Sequence, residues 1–348
     1  MNDNSAASGG NTSASTRRAP RLTGLPLLIA ALCVVLVVQG VFVLSYVGAL
    51  HEPKPHKVPL GVVGSPRLPI ALGRRFSLKL TSYPSVAAAR DAIDKRKIDG
   101  AFVSGPTGAT LIVAPAAGAA MASALGTAFA AGGAAVGERI TLVQVHTLPS
   151  RDASGNVSFL VVMALIIGGY LASTIGLAFG GPATRRRRLA SLALVSVIGA
   201  LFTDVFAGPV IGAIPTSKFF VLWGLFVLVM TAVAFATAAL QTVLGPAGTL
   251  VVVIVFVIFG APASGGTVPS PFLPAFWRTF GPYLPAGAGT TAVRNTIYFG
   301  GNDIARSLVI LAAYLVAGAL VVTVIRRRQS VSDEVAEAEA SAAAAVVV

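Results

Sequence analysis

Between the last two apolar segments of this chain, residues Gly260 to Gly301 read GAPASGGTVPSPFLPAFWRTFGPYLPAGAGTTAVRNTIYFGG. We call this stretch the Gly/Pro segment, because glycines and prolines recur along it together with aromatic residues and two arginines. No ordinary connecting loop needs that composition. The segment is too apolar for a plain solvated loop and too broken to cross a bilayer as one helix. It therefore predicts backbone folded back against the rim of a membrane or into a cavity between helices.

The composition of the whole chain places it among integral membrane proteins. Hydrophobic residues make up 55% of its 348 residues and charged residues only 11%. These fractions lie far outside the usual range of soluble proteins, which carry about 25% charged residues. We therefore predict an α-helical polytopic membrane protein.

The first apolar run, Leu25–Leu50, is long enough for a tilted helix across a hydrocarbon core of about 30 Å. A cleaved signal peptide is the competing interpretation, since Arg17, Arg18 and Arg21 precede the run like a charged n-region. We favour an uncleaved anchor, because the run is longer than an h-region of about 7–15 residues and no small-x-small cleavage site follows it.

Five further apolar runs predict five more membrane-spanning helices. They are Val157–Phe179, Leu189–Ile211, Phe219–Leu240, Gly248–Ala261 and Ile304–Ile325. The fifth of the six spans is the weak one, since its run of about fourteen residues is short for a full crossing. The predicted layout is one helix (25–50), a more polar block (51–156) and a domain of five helices (157–325).

Arginine clusters orient the spans, because Lys and Arg beside a span are retained on the cytoplasmic side. The clusters are Arg17, Arg18 and Arg21 before the first span, Arg185 to Arg188 between the second and third, and Arg326 to Arg328 after the sixth. All three fall on one side if the chain crosses six times. We therefore predict a plasma-membrane protein with both termini cytoplasmic, a disordered N-terminus (1–24) and a C-terminal tail (326–348). The block 51–156 and the segment 261–303 are predicted to be outside.

The formal net charge of +13 does not indicate a nucleic-acid partner. Ten of the 26 basic residues belong to the three clusters, which topology alone requires. Twelve more lie in the block 51–156 against six acids, which predicts a solvated face near anionic lipid or cell-wall polymer. No sequence motif supports a nucleic-acid site.

Strand and helix patterns alternate along the block 51–156. The predicted strands are Val58–Val63, Phe76–Leu80, Ala101–Val103, Thr110–Ala114 and Ile140–His146, and the predicted helices are Tyr83–Lys97 and Ala119–Ala130. This alternation predicts a small extracytoplasmic α/β domain with crossover helices. Since no GxGxxG or GxxxxGK[ST] loop occurs, we favour a rigid docking or spacer module over a ligand-binding domain.

No pattern predicts catalysis, a metal site or a bound cofactor, so the chain is not expected to be an enzyme. No GxSxG elbow accompanies the serines. The single cysteine, Cys33, has no intrachain partner, so packing rather than disulfides must hold the outer block together. His51 and His56 lie in a Pro-rich entry segment without helical spacing, which is typical of a linker rather than a metal site.

Polar residues inside the predicted spans are few, and Asp204 is the one that would carry a charge. As an ion facing lipid it would cost a few kcal/mol, so we expect it to face the bundle interior, a cavity or the outer headgroup boundary. Two interpretations remain open. Asp204 is either an interfacial carboxylate near a short external turn or a path or gating residue paired with Arg278 or Arg294 of the Gly/Pro segment. The other polar candidates are Gln39, Thr203 and Asn295.

Motifs in the Gly/Pro segment resemble the C-terminal region of YhgE/Pip-like membrane proteins and, more distantly, of type-2 ABC transporter permeases. In those families an SGG-x-x-P turn after the fifth span leads into a short proline-bounded helix and then into a second helix that begins with Leu-Pro and carries an arginine. The matching residues are Ser264, Gly265, Gly266 and Pro269 in the turn, and Leu284, Pro285, Arg294 and Tyr298 in the second helix. The stretches HKVPLGVV, AARDAIDKRKIDGAFV and LPSRDASG of the outer block are similar to that family too.

The resemblance implies a permease-like subunit that exports a lipid-like or amphipathic compound along a path formed by two six-helix subunits, in a homodimer or a heterodimer. Such permeases depend on a separate ATP-binding subunit. The loop GPATRRRR between the second and third spans departs from this scheme, because it leaves little room for a cytoplasmic helix that receives force from an ATPase. The alternative is a non-transporting scaffold or receptor, of the phage-receptor or secretion-accessory type, that acts through its outer domain.

Together these observations predict that the Gly/Pro segment forms a re-entrant or interfacial helical hairpin at 261–303, directly before the last helix. Turns are predicted at Ser264–Pro269 and Pro282–Pro285. Trp277 and Tyr283 are predicted to anchor the hairpin at the membrane interface, with lipid as a partner. In this position the hairpin would cap a path between the helices.

Overall fold

A computed structural model describes residues 25–106, 108–179 and 184–324 of the chain. The predictions for the N-terminus (1–24), for part of the loop after the second span (180–183) and for the chain from residue 325 onward lie outside the described residues. Residues 25–40 belong to a separate unit from the rest of the described chain, which folds as one unit from Val41 onward.

The helices and strands follow one another in the order α1 (Leu25–Leu50), β1 (Val58–Val63), α2 (Arg67–Phe76), β2 (Leu78–Ser82), α3 (Val86–Asp94), β3 (Gly100–Gly105), β4 (Gly108–Val113), α4 (Ala119–Ala135), β5 (Ile140–Gln144), α5 (Val157–Phe179), α6 (Arg185–Val205), α7 (Phe219–Leu244), α8 (Ala247–Val252), α9 (Gly260–Ala263), α10 (Ala275–Phe280), α11 (Pro285–Tyr298) and α12 (Ala305–Val324). Two π-helical turns continue neighbouring helices, Phe206–Val210 after α6 and Val253–Phe259 between α8 and α9.

Five helices of the described chain, namely α1, α5, α6, α7 and α12, are long and apolar enough to cross a membrane. They coincide with five of the six predicted spans, and the protein is a helical membrane protein. The remaining predicted span falls on the apolar helix Ala247–Ala263, which is shorter than these five. Its start is fixed by a corner in which Gly245 adopts a φ of +61° and Pro246 leads into α8.

The helix of the third predicted span, Leu189–Ile211, extends beyond the apolar run at its N-terminus, since α6 begins at Arg185. Thr184 explains the difference, because its hydroxyl accepts a hydrogen bond of 3.4 Å from the backbone N–H of Arg187 and so caps the helix. The arginine cluster is therefore the first turn of α6 rather than part of the loop.

The core of the bundle is built around α7, whose apolar window is 61% buried. Glycines let two neighbouring helices approach it closely. A Cβ added at Gly169 of α5 would lie 2.8 Å from the carbonyl oxygen of Met230, and one at Gly318 of α12 would lie 2.5 Å from the carbonyl carbon of Phe235. Side chains at these positions would force the helices apart, so backbone contact rather than bulk fills this core.

The block 51–156 forms a five-stranded sheet with the strand order β2-β1-β3-β4-β5. Neighbouring strands are parallel except for the antiparallel pair β3 and β4. One face packs against α2 and α4, through Leu60, Phe102, Leu111 and Phe129 among others. The other face packs against α3, through Ile93, Ala101 and Ile112. The predicted α/β sheet with crossover helices is present.

One predicted strand of this domain begins too early, and one helix was missed. The strand predicted from Phe76 begins at Leu78, because Phe76 is the last residue of α2 and Ser77 turns the chain with a φ of +49°. Leu68, Leu72 and Phe76 of α2 face the core at helical spacing. The sequence pattern does not indicate this short helix, because Pro, Gly and Arg residues interrupt it.

Candidate functional site

The Gly/Pro segment folds into short helices separated by two turns. After α9 the chain turns at 264–269, passes through a single helical turn (Ser270–Phe272), forms α10, and turns again at Gly281–Tyr283. Pro285 then begins α11. Proline is favourable at the first position of a helix, because a backbone N–H there would have no acceptor within the helix. Most residues of α11 are buried, so the segment is a packed part of the protein rather than a surface loop.

The local structure explains why a serine and two glycines occupy the Ser-Gly-Gly turn. The Ser264 hydroxyl donates to the carbonyl of Ala261 at 2.7 Å and accepts from the N–H of Gly266 at 3.1 Å. Gly265 has a φ of +70°, which L side chains rarely adopt. A Cβ added at Gly266 would lie 2.5 Å from Cβ of Phe159 at the start of α5. The turn therefore needs a small capping hydroxyl followed by two residues without side chains.

Arg294 of α11 holds this turn from the far side of the segment. Its Nη1 donates to the carbonyl of Gly265 and its Nη2 to that of Gly266, both at 2.9 Å. The residue is only 8% exposed, and burial, with repulsion from Arg96, lowers the pKa of its guanidinium to about 10. Both terminal nitrogens are used for structure, so α11 and the turn are joined by two charge-assisted hydrogen bonds.

Two aromatic residues of the same segment insert into the α/β domain, one on each face of the sheet. Phe272 belongs to the core on the α2 and α4 face, 6.5 Å from the ring of Phe76. Phe299 belongs to the core on the α3 face, 4.5 Å from the ring of His146. The Gly/Pro segment thus packs against both faces of the sheet and joins the α/β domain to the helix bundle.

Polar contacts tighten the same junction. Asp152 accepts a hydrogen bond of 2.7 Å from the hydroxyl of Tyr298 and one of 3.1 Å from the backbone N–H of Val157. Burial raises the pKa of the Tyr298 hydroxyl, and its bond to Asp152 adds to the rise. Lys218 donates from Nζ to the carbonyls of Thr296 and Ile297, at 2.6 and 3.0 Å, near the C-terminal end of α11.

The structure does not bring together the three residues predicted to line a path. Arg278 donates to the carbonyl of Leu273 at 3.1 Å, and Arg294 holds the turn. Asp204 is 1% exposed, and its Oδ2 has no hydrogen-bond partner in the described chain. Within that part of the chain Asp204 forms no ion pair with either arginine.

The two predicted interface residues have different surroundings. Trp277 packs against the last turn of α1, where a Cβ added at Gly48 would lie 3.2 Å from the indole ring. Its indole nitrogen is buried without a hydrogen-bond partner in the described residues. The Tyr283 side chain is exposed, and the guanidinium of Arg306 lies 4.7 Å from the centre of its ring.

Unpartnered buried polar side chains occur at further positions of the described helices besides Asp204. Buried side-chain atoms without a hydrogen-bond partner in the described residues also occur at Ser158, Thr290, Asn295 and Thr296. These positions lie at the start of α5 and along α11, which pack closely, since a Cβ added at Gly289 would lie 2.8 Å from Val162. We call these five residues the polar layer. Only Asp204 and Asn295 were singled out from sequence, because lone Ser and Thr residues in apolar helices usually bond to their own backbone.

A second polar group lies around Gln241, near the arginine-rich start of α6. Its side-chain oxygen accepts from Ser173 at 2.9 Å and from Arg188 at 3.3 Å, and its nitrogen donates to Thr174 and Thr249 at 3.1 and 2.9 Å. Four helices, α5 to α8, are therefore tied together by one side chain. No sequence pattern pointed to Gln241, because its partners are distant along the chain.

Among the described residues, concave regions at the α/β domain include a partly open cavity and a wider groove. The cavity, of about 120 Å³, lies between this domain and the Gly/Pro segment, and Arg96, Asp99 and Arg294 are among its lining residues. A wider groove of about 600 Å³ runs along α4 and β5. In the described chain no group of three or more His, Cys, Asp or Glu residues is placed to hold a metal ion.

Fold and site together define a helical membrane protein whose α/β domain is joined to its helix bundle by a buried, glycine-dependent segment. Comparison with protein-family models and with curated proteins finds no match to this chain.

Proposed function

We propose that this chain is a permease-like subunit of the plasma membrane that exports a lipid-like or amphipathic compound together with a separate ATP-binding subunit. In this proposal the helix Ala247–Ala263 completes six spans, both termini are cytoplasmic and the α/β domain is outside. The subunit acts in a homodimer or a heterodimer, and its side chains perform no chemical reaction. The resemblance of the Gly/Pro segment to YhgE/Pip-like proteins and type-2 ABC transporter permeases supports this choice.

The observation that carries the proposal is the polar layer. Unpartnered polar atoms in an apolar interior cost about 1–3 kcal/mol each, and a chain that keeps several of them on α5, α6 and α11 has a use for them. The most direct use is to line the route of a cargo with a polar part. Three of the five residues lie on α11, which is mostly buried, and this fits the closed form of such a route.

The Gln241 group supports a mechanical role at the other end. It links α5 to α8 beside the first turn of α6, where the short loop leaves little room for a separate force-receiving helix. An ATP-binding subunit docked near the arginine cluster would then act on the helix ends directly. Direct action on the helix ends would explain how the protein works without a force-receiving helix in the short loop between the second and third spans.

Orientation is tested with single cysteines in a Cys33→Ser background. Lys54→Cys and Arg186→Cys are both exposed and lie on opposite sides in the proposal. An impermeant thiol reagent added to intact cells should label the first and spare the second until the cells are opened. Labelling of both from one side would refute the six-span arrangement.

Two experiments test transport. In the first, the tagged full chain is purified from its native membrane, and in the second, export of a fluorescent amphipathic lipid analogue is measured. We expect an ATP-hydrolysing subunit to co-purify, and export to fall in Asp204→Asn and Thr290→Val. The matched control is Thr203→Val, since the Thr203 hydroxyl only bonds to the carbonyl of Gly199 one turn earlier, at 2.9 Å. Export that is equal in all three variants, or the absence of any ATPase, would refute the proposal.

A receptor or scaffold is the second candidate, and the groove along α4 and β5 favours it. The groove is open and lined by small residues, and β5 is an edge strand. Ser123→Trp and Thr127→Trp would fill it from exposed positions of α4 without touching the Gly/Pro segment. Loss of a cellular phenotype in these variants, with export unchanged, would assign the function to the α/β domain.

A further inference from the structure

The first membrane-spanning helix, α1, carries an amide in the middle of its apolar surface. Gln39 is exposed, and it lies well inside the candidate span Leu32–Leu50. At a rise of about 1.5 Å per residue, Gln39 is about 10 Å from one end of that span and about 16 Å from the other. In a hydrocarbon core of about 30 Å, an amide at this depth has no water to bond with.

Gln39 differs in its bonding from the threonines of the other described spans. The hydroxyls of Thr174, Thr203 and Thr323, which are partly exposed residues, each donate to the backbone carbonyl four residues earlier. Such a bond satisfies a hydroxyl within its own helix. The Gln39 amide forms no hydrogen bond with any described residue. An amide without a partner in hydrocarbon costs free energy, and a polar group on a neighbouring molecule would remove that cost.

Gln39 lies on a different face of α1 from the one that packs against the described chain. Ser45, on the packed face, is buried and donates to the carbonyl of Ile258 at 2.7 Å. At about 100° per residue, Gln39 lies about 120° around the helix from Ser45. Apolar residues at helical spacing share the face of Gln39, and about half of each side chain is exposed: Leu32 56%, Leu36 58% and Val43 49%. We call this surface the Gln39 face.

We propose that a second copy of this chain covers the Gln39 face, with the two α1 helices parallel and their Gln39 amides hydrogen-bonded to each other. A carboxamide offers two donors and an acceptor, so it is complementary to a second carboxamide. Two copies inserted in the same orientation carry Gln39 at the same depth. A twofold axis along the membrane normal then brings like residues of this face together.

A second copy fits the Gln39 face better than lipid or a different protein does. Lipid chains have no hydrogen-bonding group at this depth. A different protein would need a polar residue matched to the same depth and to an apolar stripe of the same spacing. A second copy has both by identity, and hydrogen bonds between polar side chains of neighbouring helices stabilise helix association in membranes.

This inference goes further than the proposed function, which leaves open whether the second subunit is the same chain. It does not rest on transport, since a receptor or scaffold uses the same pair equally well. Failure of the inference would leave transport by a heterodimer in place, so the two proposals fail separately.

Disulfide crosslinking of the full chain in its native membrane tests the face. Leu36→Cys and Val43→Cys, each in a Cys33→Ser background, place a single thiol on the Gln39 face. Oxidation should link either variant into a dimer of two copies, because like residues beside a twofold axis lie close together. The matched controls are the exposed Cys33 of the wild type and Leu44→Cys in the Cys33→Ser background. These thiols lie about 120° and about 140° around the helix from Gln39 and should link much less.

The strength of association is measured by energy transfer between copies labelled at Lys54→Cys in the Cys33→Ser background. The copies are reconstituted in phosphatidylcholine vesicles over a series of protein-to-lipid ratios. Gln39→Leu should weaken association by about threefold to thirtyfold, the range expected for polar contacts between membrane helices. Leucine is favourable in a membrane helix, so this variant should insert and fold like the wild type. Gln39→Asn keeps an amide and should restore part of the association, and the control Leu44→Ala should associate like the wild type.

Links confined to the Gln39 face, with weaker association in Gln39→Leu and a partial return in Gln39→Asn, support the inference. It is overturned if the chain is a monomer at every ratio, or if Gln39→Leu associates like the wild type. Equal linking through Leu36→Cys and Leu44→Cys overturns it as well. A product that joins Leu36→Cys to a different protein, and not to a second copy, does the same.

Discussion

Gly266→Ala tests the claim that the Gly/Pro segment is held by close backbone approach. The added Cβ would lie 2.5 Å from Cβ and 2.6 Å from Cγ of Phe159. Carbon atoms in contact are ordinarily about 3.5–4.0 Å apart, so the turn and α5 must separate by about 1 Å. Phe159 cannot avoid this by changing rotamer, because its Cβ is attached directly to the backbone.

The separation has a second consequence, since the carbonyl of Gly266 accepts the 2.9 Å hydrogen bond from Arg294. A shift of about 1 Å takes that bond beyond hydrogen-bonding distance. Overpacking costs about 1–3 kcal/mol, and loss of a charge-assisted hydrogen bond about 1.5–3 kcal/mol. We therefore expect the folded state to lose about 2.5–6 kcal/mol, with lower recovery of monodisperse protein.

The assay is the unfolding temperature of the full chain in detergent, with Gly224→Ala as the matched control. A Cβ added at Gly224 of α7 meets nothing within 4 Å, so this variant should be as stable as the wild type or slightly more so, because alanine favours the helix. If both variants unfold at the wild-type temperature, the argument from close approach is wrong.

Three further predictions concern charged groups. Arg294→Met leaves two buried carbonyls without donors, at about 1–3 kcal/mol each, and should unfold at a lower temperature than Arg294→Lys, which keeps a donor; equal loss in both would contradict this. Burial raises the pKa of Asp99 above its ordinary value of about 3.9, so its contribution to stability is full below that value and is lost as the pH rises through the raised pKa. As the pH rises from about 3.9 through the raised pKa of Asp99, the unfolding temperature of the wild type should fall. The unfolding temperature of Asp99→Asn should not show this fall. Asp204→Asn should insert and fold like the wild type, because Oδ2 has no partner in the described chain to lose, while export decreases; full export would remove Asp204 from the mechanism.

The predicted spans show how far sequence alone reaches in this protein. The bounds of α1 and α5 agree with the predicted first and second spans, because a long apolar run in a helix carries its own signal in every residue. The predicted third span does not give the start of α6, because the arginine cluster is polar although its backbone is helical and capped by Thr184. Hydropathy reports side chains, whereas a helix start depends on the backbone.

The strands of the α/β domain were found for a similar reason. Alternation and β-branched residues mark β1, β4 and β5 locally, and their order in the sheet was not part of that signal. The missed helix α2 owes its stability to Leu68, Leu72 and Phe76, which pack against a core that forms only when distant strands meet. Propensity alone is a weak guide where packing supplies the stability.

The roles of the site residues were decided by contacts between positions far apart in the chain. Sequence singled out Arg294 and the Ser-Gly-Gly turn as separate features, but only the fold brings the guanidinium to the carbonyls of Gly265 and Gly266. The Gln241 group likewise joins helices that are distant in sequence. A local sequence pattern does not indicate contacts between residues that are far apart in the chain.

A helical membrane protein with an α/β block and an unusual segment before its last helix can be predicted from local patterns, because hydropathy and periodicity are properties of neighbouring residues. The contacts of that segment in the folded protein could not be predicted in the same way. It inserts Phe272 and Phe299 into opposite faces of the sheet and places Arg96 opposite Arg294 across one cavity. These arrangements depend on the burial and distance of groups that meet only after folding, and a linear sequence contains neither quantity.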